Sequence, residues 1–221
     1  MIPVCVLVVA KAPVPGLAKT RLAAAVGDDT AAEIAAAALL DTLDAVAASP
    51  VAARVVALTG DLDAAKYADE IRSRLDDFVV VPQRGEDFAA RLANAHSDAA
   101  AATGGLPVLQ IGMDTPQVSA DLLERCARSL AGSDAVLGMA RDGGWWVLGV
   151  ADAATADCLR GVPMSAPDTG AVTLAALRDT GVDVELMCEL ADVDTLDDVG
   201  TVRPACPPGS RFSRLTATVE A

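Results

Sequence analysis

Positive charge and aromatic rings are both scarce in this sequence of 221 residues. It has 17 lysines and arginines against 31 aspartates and glutamates, a formal charge of −14, and only 3% aromatic residues. Nucleic acids and anionic membranes both require a basic face on their partner, so we expect neither as a partner. A small phosphorylated ligand needs only a local positive pocket. With so few aromatics, the core is expected to consist of Ala, Val and Leu.

Histidine is almost absent, and the five cysteines are far apart with no Cys-x-x-Cys pair. A zinc site or a Ser-His-Asp triad would have to be built around His96 alone, so both are poor hypotheses. We predict buried free thiols in a reducing cytoplasm and a helix-surface position for His96. The apolar start, residues 1–10, has no basic leader and is too short to span a bilayer. The predicted location is therefore cytoplasmic.

Apolar runs rich in β-branched residues alternate along the chain with Ala-rich amphipathic segments. The runs predict seven strands, at residues 3–10, 52–59, 78–82, 107–112, 134–139, 145–150 and 182–187. The predicted helices are 29–48, 62–75, 87–102, 119–131, 152–160, 170–180 and 195–202. This order predicts an α/β fold with a mixed, mostly parallel sheet, in which a Gly-Gly hairpin makes one strand antiparallel.

The end of the chain differs in composition from the rest. We predict one domain over residues 1–202 and a tail over 203–221 that begins rich in Pro, Gly and Ser. The tail is expected to be loosely ordered or to pack on a neighbour, with a short strand at 215–219. A homodimer is left open.

The basic loop, residues 11–21 (KAPVPGLAKTR), follows the first predicted strand and holds two of the chain's three lysines. Ligands of parallel sheets bind at the carboxyl ends of strands. A pyrophosphate needs backbone N–H donors and fixed cations, while glycine permits close approach and prolines stiffen the loop. A solvated basic turn is the alternative interpretation. The residues predicted to bind nucleotide phosphates are Lys11, Pro13, Gly16, Lys19, Thr20 and Arg21.

Aspartates follow two later predicted strands, at the carboxyl edge of the predicted sheet where the basic loop is also expected. Asp114 follows the fourth strand, and Asp194, in the segment Asp192-Val-Asp194, follows the last. Carboxylate oxygens are the ligands that Mg²⁺ and Mn²⁺ prefer, and such an ion would neutralise charge during group transfer. Asp114 and Asp194 are the predicted metal ligands. The alternatives are a turn at Asp114 and a helix cap at Asp194.

Two further segments are candidates for contacts with the acceptor and the nucleoside. The hairpin RDGGWW is predicted to bind the acceptor, with Asp142 as a base or second metal ligand; an ordinary hairpin turn is the alternative. Asp142 and Lys19 are the predicted catalytic residues. The segment after the third strand is predicted to bind the base or ribose, and a solvated helix start is equally compatible. The residues assigned to these two segments are Arg141, Gly143, Gly144 and Trp145 for the acceptor, and Gln83, Gly85 and Asp87 for the nucleotide.

Five stretches occur together, in order: KAPVPGLAKTRLA, QRGEDFAARLANA, IGMDTPQV, DAVLGMARDGGWWVLGV and LADVDTLDDV. Jointly they resemble the bacterial transferase 1 proteins associated with radical-SAM/selenodomain clusters, in the GT-A superfamily of nucleotide-diphospho-sugar transferases. A more distant similarity is to the 2-phospholactate and molybdenum-cofactor guanylyltransferases. The resemblance implies a three-layer α/β/α GT-A fold of about seven strands, phosphate binding by the basic loop, and metal binding by Asp114. Met113 and the two tryptophans depart from the family pattern, which has a small polar residue and tyrosines there.

The hypothesis that follows is a metal-dependent transferase that uses a nucleotide. It would move a glycosyl group from an NDP-sugar, or a nucleotidyl group from an NTP, to a small acceptor. The family resemblance favours sugar transfer, whereas three cations in one loop suit a triphosphate better. A nucleotide- or metabolite-binding module without turnover is the alternative.

Overall fold

Seven strands form one mixed sheet in the computed structural model, which describes residues 1–219. The strands are β1 (Ile2–Lys11), β2 (Val51–Thr59), β3 (Val79–Pro82), β4 (Val108–Gly112), β5 (Ala135–Ala140), β6 (Trp145–Val150) and β7 (Val184–Leu190). Their spatial order is β3-β2-β1-β4-β6-β5-β7. Strand β6 is antiparallel to β4 and β5, while the other neighbouring pairs are parallel. The predicted α/β class, the mostly parallel sheet and the antiparallel hairpin are confirmed.

Helices cover both faces of the sheet. They are α1 (Thr20–Val26), α2 (Asp28–Ala48), α3 (Ala68–Leu75), α4 (Phe88–Ala102), α5 (Ala120–Leu130), α6 (Thr169–Asp179), α7 (Leu196–Val202) and α8 (Arg211–Leu215). Successive strand residues point to opposite faces, so Val6 and Leu7 of β1 belong to different core layers. The layer with Val6 packs against α2, α3 and α5, and the layer with Leu7 packs against α4 and α6. This is the predicted three-layer arrangement.

Two predicted boundaries are wrong, those of the helix at 62–75 and of the basic loop. The helix expected at 62–75 is divided into a 3₁₀ turn, Leu62–Ala64, and α3. Between them the backbone is not helical, because Lys66 N–H donates to the Pro13 carbonyl oxygen at 3.0 Å and Tyr67 has a left-handed φ of 54°. The segment predicted to be helical at 152–160 is a 3₁₀ helix, Ala153–Gly161. The basic loop was expected to be loop throughout, but its last two residues begin α1.

The tail is folded over its described residues, 203–219, which corrects the expectation of loose order. Residues 215–219 form the end of α8 and a 3₁₀ turn rather than a strand. The reason is docking on α2: the Asp41 carboxylate accepts the backbone N–H groups of Arg211 and Phe212 at 3.0 and 2.8 Å. Residues 220–221 lie outside the described part of the chain, and the domain boundary at residue 202 stays a prediction.

A separate apolar cluster, called here the C-terminal cluster, joins the tail to the rest of the molecule. Its buried members include Leu22 of α1, Ile34 of α2, Val193, Val199 of α7 and Phe212 of α8. Phe212 has no solvent exposure. Val193 stands between two aspartates, so the packing of the tail fixes the backbone of an acidic segment.

His96 is fully buried, and its predicted surface position is wrong because α4 packs that side on the sheet. It faces Gln110 of β4, yet neither ring nitrogen reaches hydrogen-bond geometry with a partner. Burial lowers the pKa of His96 to about 4, and the Gln110 amide offsets this only in part. The imidazole is therefore neutral at neutral pH.

We expect His96 to make the fold sensitive to acid. The pKa of a histidine in an unfolded chain is near 6.5, whereas burial lowers the pKa of His96 to about 4. Between these two pH values the unfolded chain binds more protons than the folded one. The free energy of unfolding therefore falls as the pH falls through this range. From pH 7.5 to 4.5, the wild type should lose about 2 kcal/mol more unfolding free energy than His96→Leu. Urea unfolding at both pH values measures this. An equal loss in the two proteins would contradict the assignment.

The cysteine prediction holds in part. All five thiols are free, but only Cys5, Cys126 and Cys206 are buried, whereas Cys188 lies exposed on the edge strand β7. Within residues 1–219, no helix is both long enough and apolar enough to cross a membrane.

Candidate functional site

The basic loop leaves β1 at the carboxyl edge of the sheet and is closed by its own first lysine. Lys11 Nζ donates to the Leu17 carbonyl oxygen at 2.7 Å. Gly16 and Lys19 have positive φ angles, 75° and 48°. A left-handed backbone is uncommon outside glycine, and at Lys19 it forms the turn into α1.

The Lys19 side chain does not extend into solvent but forms ion pairs with two aspartates from other parts of the chain. Its Nζ lies 2.8 Å from Asp114 Oδ2 and 2.7 Å from Asp194 Oδ1, with its side chain only 13% exposed. Burial alone would lower the pKa of Lys19, but the two carboxylates raise it above its ordinary value. Lys19 therefore stays an ammonium ion and neutralises part of the acidic charge around it.

Three carboxylates form the acidic cluster: Asp114, Asp192 and Asp194. Each offers an oxygen within 4.8 Å of the other two. Backbone pairing brings the two segments together, since Val193 N–H donates to the Asp114 carbonyl oxygen at 3.1 Å. Asp194 is not the helix cap that was the alternative interpretation: Thr195 caps α7 in a capping box with Asp198, which leaves the Asp194 side chain in the cluster.

The chemistry of this donor set suits a hard divalent cation. Three carboxylates at this spacing can ligate one Mg²⁺ or Mn²⁺ after small side-chain adjustments. Burial, followed by the nearby charges of Asp142 and Asp114, raises the pKa of Asp192 to about 6. Three carboxylates meet one buried ammonium group, that of Lys19, so the acidic cluster keeps negative charge that a bound cation would neutralise.

A cavity of about 630 Å³ opens where the basic loop, the acidic cluster and the hairpin meet. This volume is in the range of small-molecule sites. The predicted site residues that line the cavity are Lys11, Lys19, Thr20, Arg21, Gln83, Asp114, Asp142, Gly144, Trp145 and Asp194. Candidates for phosphate, metal, acceptor and nucleoside contacts thus share one space.

Two glycines predicted to contact ligands, Gly143 and Gly85, lie outside the cavity lining, and both pack closely on neighbouring backbone. A Cβ on Gly143, whose φ is 92°, would stand 1.8 Å from the Pro167 carbonyl oxygen, so this turn packs on the segment before α6. A Cβ on Gly85 would stand 2.9 Å from the backbone of α4.

The remaining four predicted residues also lie outside the cavity lining. Asp87 caps α4, accepting the Ala90 N–H at 2.7 Å. Arg141 forms a 3.5 Å ion pair with Glu189 at the surface. Direct ligand contacts by these two residues, by Gly85 and Gly143, and by Pro13 and Gly16 stay predictions.

Several cavity residues were missed at the sequence level. Asp192 was considered only as part of its segment. Residues 164–166 lie in the loop before α6, and Thr169 is the first residue of that helix; neither belongs to a recognisable motif. Gln110 gave a usable signal, because it is the single polar residue in the apolar run PVLQIG of β4.

Several solved structures share this fold. A protein of Desulfovibrio desulfuricans G20, provisionally described as a nucleotide-diphospho-sugar transferase, is 25% identical, with a TM-score of 0.85 over 98% of this chain and 95% of that chain. Rv0371c from Mycobacterium tuberculosis H37Rv, in complex with manganese, is 20% identical, with a TM-score of 0.53 over 90% and 97%. A cytidylyltransferase from Leptospira borgpetersenii serovar Hardjo-bovis is 13% identical, with a TM-score of 0.60 over 99% and 94%. The last two similarities concern the fold alone.

No curated protein matches this chain. One protein-family model matches residues 42–166, more than half of the sequence, from within α2 to the segment before α6. The matched stretch contains Asp114 and the hairpin, while the basic loop and Asp194 lie outside it. The chain belongs to the family described as "Uncharacterized protein conserved in bacteria (DUF2064)".

Proposed function

We propose that this chain is a metal-dependent transferase that moves a glycosyl group from an NDP-sugar, or a nucleotidyl group from an NTP, to a small acceptor. The observation that carries the proposal is the contact of Lys19 with Asp114 and Asp194 at 2.8 and 2.7 Å. It joins the phosphate-binding candidates to the metal-binding candidates in one cavity. Structural relatives described as a nucleotide-diphospho-sugar transferase and a cytidylyltransferase support it. The transferase 1 resemblance is part of this proposal.

The acidic cluster is the proposed site of Mg²⁺ or Mn²⁺. An ion held by Asp114, Asp192 and Asp194 would neutralise negative charge on the nucleotide phosphates, which lowers the barrier to their departure. Rv0371c, which shares the fold, was solved with manganese, and this agrees with a cluster of oxygen ligands.

Lys19 and a metal ion require the same oxygens. We infer that Lys19 neutralises Asp114 and Asp194 until a cation takes its place, after which the ammonium is free to bind a phosphate oxygen. Of the three cations in the basic loop, Lys11 is bonded to Leu17 and Lys19 to the acidic cluster. Arg21 is 73% exposed at the side chain and lies 3.6 Å from Asp194 Oδ2. Since each of them has a partner within the protein, their number alone does not select a triphosphate, and both modes of transfer remain in the proposal.

Asp142 is the proposed general base. It lines the cavity beside Asp192, and its Oδ1 accepts the Gly144 N–H at 2.8 Å, which fixes the carboxylate at the hairpin. In this role it would accept the proton of the acceptor hydroxyl as that oxygen attacks. Trp145, half-buried in the cavity wall, would pack against the acceptor.

A thermal-shift panel of NTPs, NDPs and NDP-sugars with and without Mn²⁺ or Mg²⁺ tests the proposal. A ligand at a hundredfold excess over its Kd stabilises a protein by about 2.7 kcal/mol, which raises the melting temperature by about 5 to 10 °C. We expect such a shift for at least one nucleotide, and only when the divalent cation is present. A panel without any nucleotide-dependent shift would refute the proposed function.

Arg21→Ala, measured with the nucleotide that the panel identifies, tests the basic loop. We expect a loss of at least about 1.5 kcal/mol of binding free energy, roughly tenfold in Kd, because a charge-assisted phosphate contact is removed. Arg128→Ala is the matched control, since Arg128 is also exposed but lies on α5 in a surface pair with Glu124. Equal affinity of Arg21→Ala and wild type would remove the loop from the phosphate site.

A further inference from the structure

The charged residues that line the cavity are sorted by their position along the sheet. The strand order places β1, β2 and β3 on one side of β4, and β6, β5 and β7 on the other. Every cation of the lining comes from the first side, from β1, the basic loop, α1 or α4, while every carboxylate follows β4 or comes from the second side. The two halves should therefore attract ligand groups of opposite charge. The cations are Lys11, Lys19, Arg21 and Arg91, and the carboxylates are Asp114, Asp142, Asp192 and Asp194.

The acceptor half of the cavity is defined here as the lining from the β5–β6 hairpin, from the loop before α6 with the first residue of that helix, and from the segment after β7. In it the half-buried indole of Trp145 shares the wall with the carboxylates of Asp142 and Asp192. Arg141 of the hairpin does not balance these charges, since it pairs with Glu189 at 3.5 Å and lies outside the lining. In the described part of the chain, no cation of the lining belongs to this half.

A divalent cation on the acidic cluster would not reverse the sign of the acceptor half. One such ion carries two positive charges, whereas the cluster has three carboxylates and Asp142 adds a fourth. Lys19 is the ammonium group that meets the cluster, and the proposed exchange directs it towards the nucleotide phosphates. An anionic acceptor would thus enter a space that stays negative, and like charges placed side by side oppose binding.

We propose that the acceptor is a hydroxyl compound without phosphate or carboxylate groups, either uncharged or carrying an ammonium group. The inference rests on the proposed function and names the chemical class of its acceptor. Ionised carboxylates accept hydrogen bonds from hydroxyl and ammonium groups but have no proton to donate to a phosphate. The indole of Trp145 offers an apolar face to the carbon atoms of such a compound, and a cation–π contact to an ammonium group.

An acceptor of this class selects glycosyl transfer. In a direct transfer, the acceptor oxygen forms a bond to the sugar carbon while the bond from that carbon to the diphosphate oxygen breaks. The NDP leaves with the bonding electron pair, and the hydroxyl proton passes to Asp142. Nucleotidyl transfer to a sugar phosphate would instead bring the phosphate of the acceptor among these carboxylates.

Matched compounds that differ in charge test the inference by saturation-transfer NMR, with Mg²⁺ and the NDP of the base that the thermal-shift panel identifies. The probes are glucosamine, glucose and glucose 6-phosphate, and glycerol and glycerol 3-phosphate. We expect at least one unphosphorylated compound to bind, and its phosphorylated counterpart to bind about tenfold more weakly or worse. With the corresponding NDP-sugar, the same unphosphorylated compound should raise the rate of NDP release above the rate in buffer. The NTP with a sugar 1-phosphate should release no pyrophosphate.

Asp142→Asn shows whether charge causes the preference. The asparagine oxygen can still accept the Gly144 N–H, which keeps the hairpin turn, but one negative charge is lost. The ratio of the Kd of the phosphorylated compound to that of its counterpart should fall about threefold or more. Asp121→Asn is the matched control, because Asp121 is exposed on α5, and it should leave the ratio unchanged.

Several results would overturn the inference and leave the proposed function standing. They are equal binding of a phosphorylated compound and its counterpart, binding by none of the unphosphorylated compounds, and pyrophosphate release from the NTP with a sugar 1-phosphate. A preference as strong in Asp142→Asn as in the wild type would also refute it, since shape rather than charge would then exclude the phosphate. If the wild type binds no nucleotide, the proposed function fails, and this inference with it.

Discussion

Replacing Asp114 with Asn should abolish cation-dependent nucleotide binding while leaving the protein folded. Asp114 belongs to the acidic cluster and also pairs with Lys19 at 2.8 Å, so the substitution removes one of the three proposed metal ligands. We expect a loss of about 3 kcal/mol or more, on the order of a hundredfold in the Kd of the nucleotide with Mn²⁺. Calorimetric titration with and without Mn²⁺ measures the loss, and turnover should disappear with it.

Asp121→Asn is the matched control for this experiment. Asp121 is exposed in the first turn of α5, so its loss changes the charge equally but costs only about 0.5 kcal/mol of helix stability. An Asp114→Asn protein that keeps its Mn²⁺-dependent affinity would contradict the metal assignment. If the wild type binds nucleotide without any cation and forms no product, the non-catalytic binding module becomes the better description.

Replacing Phe212 with Ala should give the largest loss of stability among single substitutions in the tail. Phe212 is fully buried in the C-terminal cluster, and truncation of a buried phenylalanine typically costs about 3 to 5 kcal/mol. Chemical denaturation gives the change in unfolding free energy. Because Val193 of the same cluster separates Asp192 from Asp194, we also expect weaker Mn²⁺ binding at temperatures where the variant is still folded.

Leu186→Ala provides the comparison for Phe212. Leu186 lies on β7 and is 54% exposed, so its truncation should cost less than about 1 kcal/mol. A cost for Phe212→Ala as small as this would show that the tail contributes little to the fold, contrary to its packing on α2.

The architecture was predictable because its signals are local. Apolar strands and amphipathic helices are recognisable from the spacing of apolar residues in the sequence. The Gly-Gly pair between two apolar runs indicated the hairpin and hence the antiparallel strand. The errors arose where distant contacts override local preference. The Lys66 N–H donates to the Pro13 carbonyl oxygen, which interrupts the helix expected at 62–75. The Asp41 carboxylate of α2 accepts the N–H groups of Arg211 and Phe212, which stabilises the start of α8 in the tail. Neither contact has a signature in the neighbouring sequence.

The site was predictable at the level of strand ends. A lysine in the basic loop and aspartates after β4 and β7 were expected at one edge, and the structure places all three together. The ion pairs of Lys19 with Asp114 and Asp194 were not predictable, since they depend on the distances between side chains that are far apart in sequence. For the same reason, the burial of His96 against the Gln110 amide could not be inferred from composition.

The scarcity of aromatic residues gives the cavity an optical property. The chain has two tryptophans, and both of them, Trp145 and Trp146, line the cavity. Trp146 is buried and donates from Nε1 to the Cys188 carbonyl oxygen at 2.8 Å, whereas Trp145 stays partly open to the cavity. Indole emission depends on the polarity of its surroundings, and both indoles line this cavity. We therefore expect a ligand that enters the cavity to change the tryptophan fluorescence of the unlabelled protein.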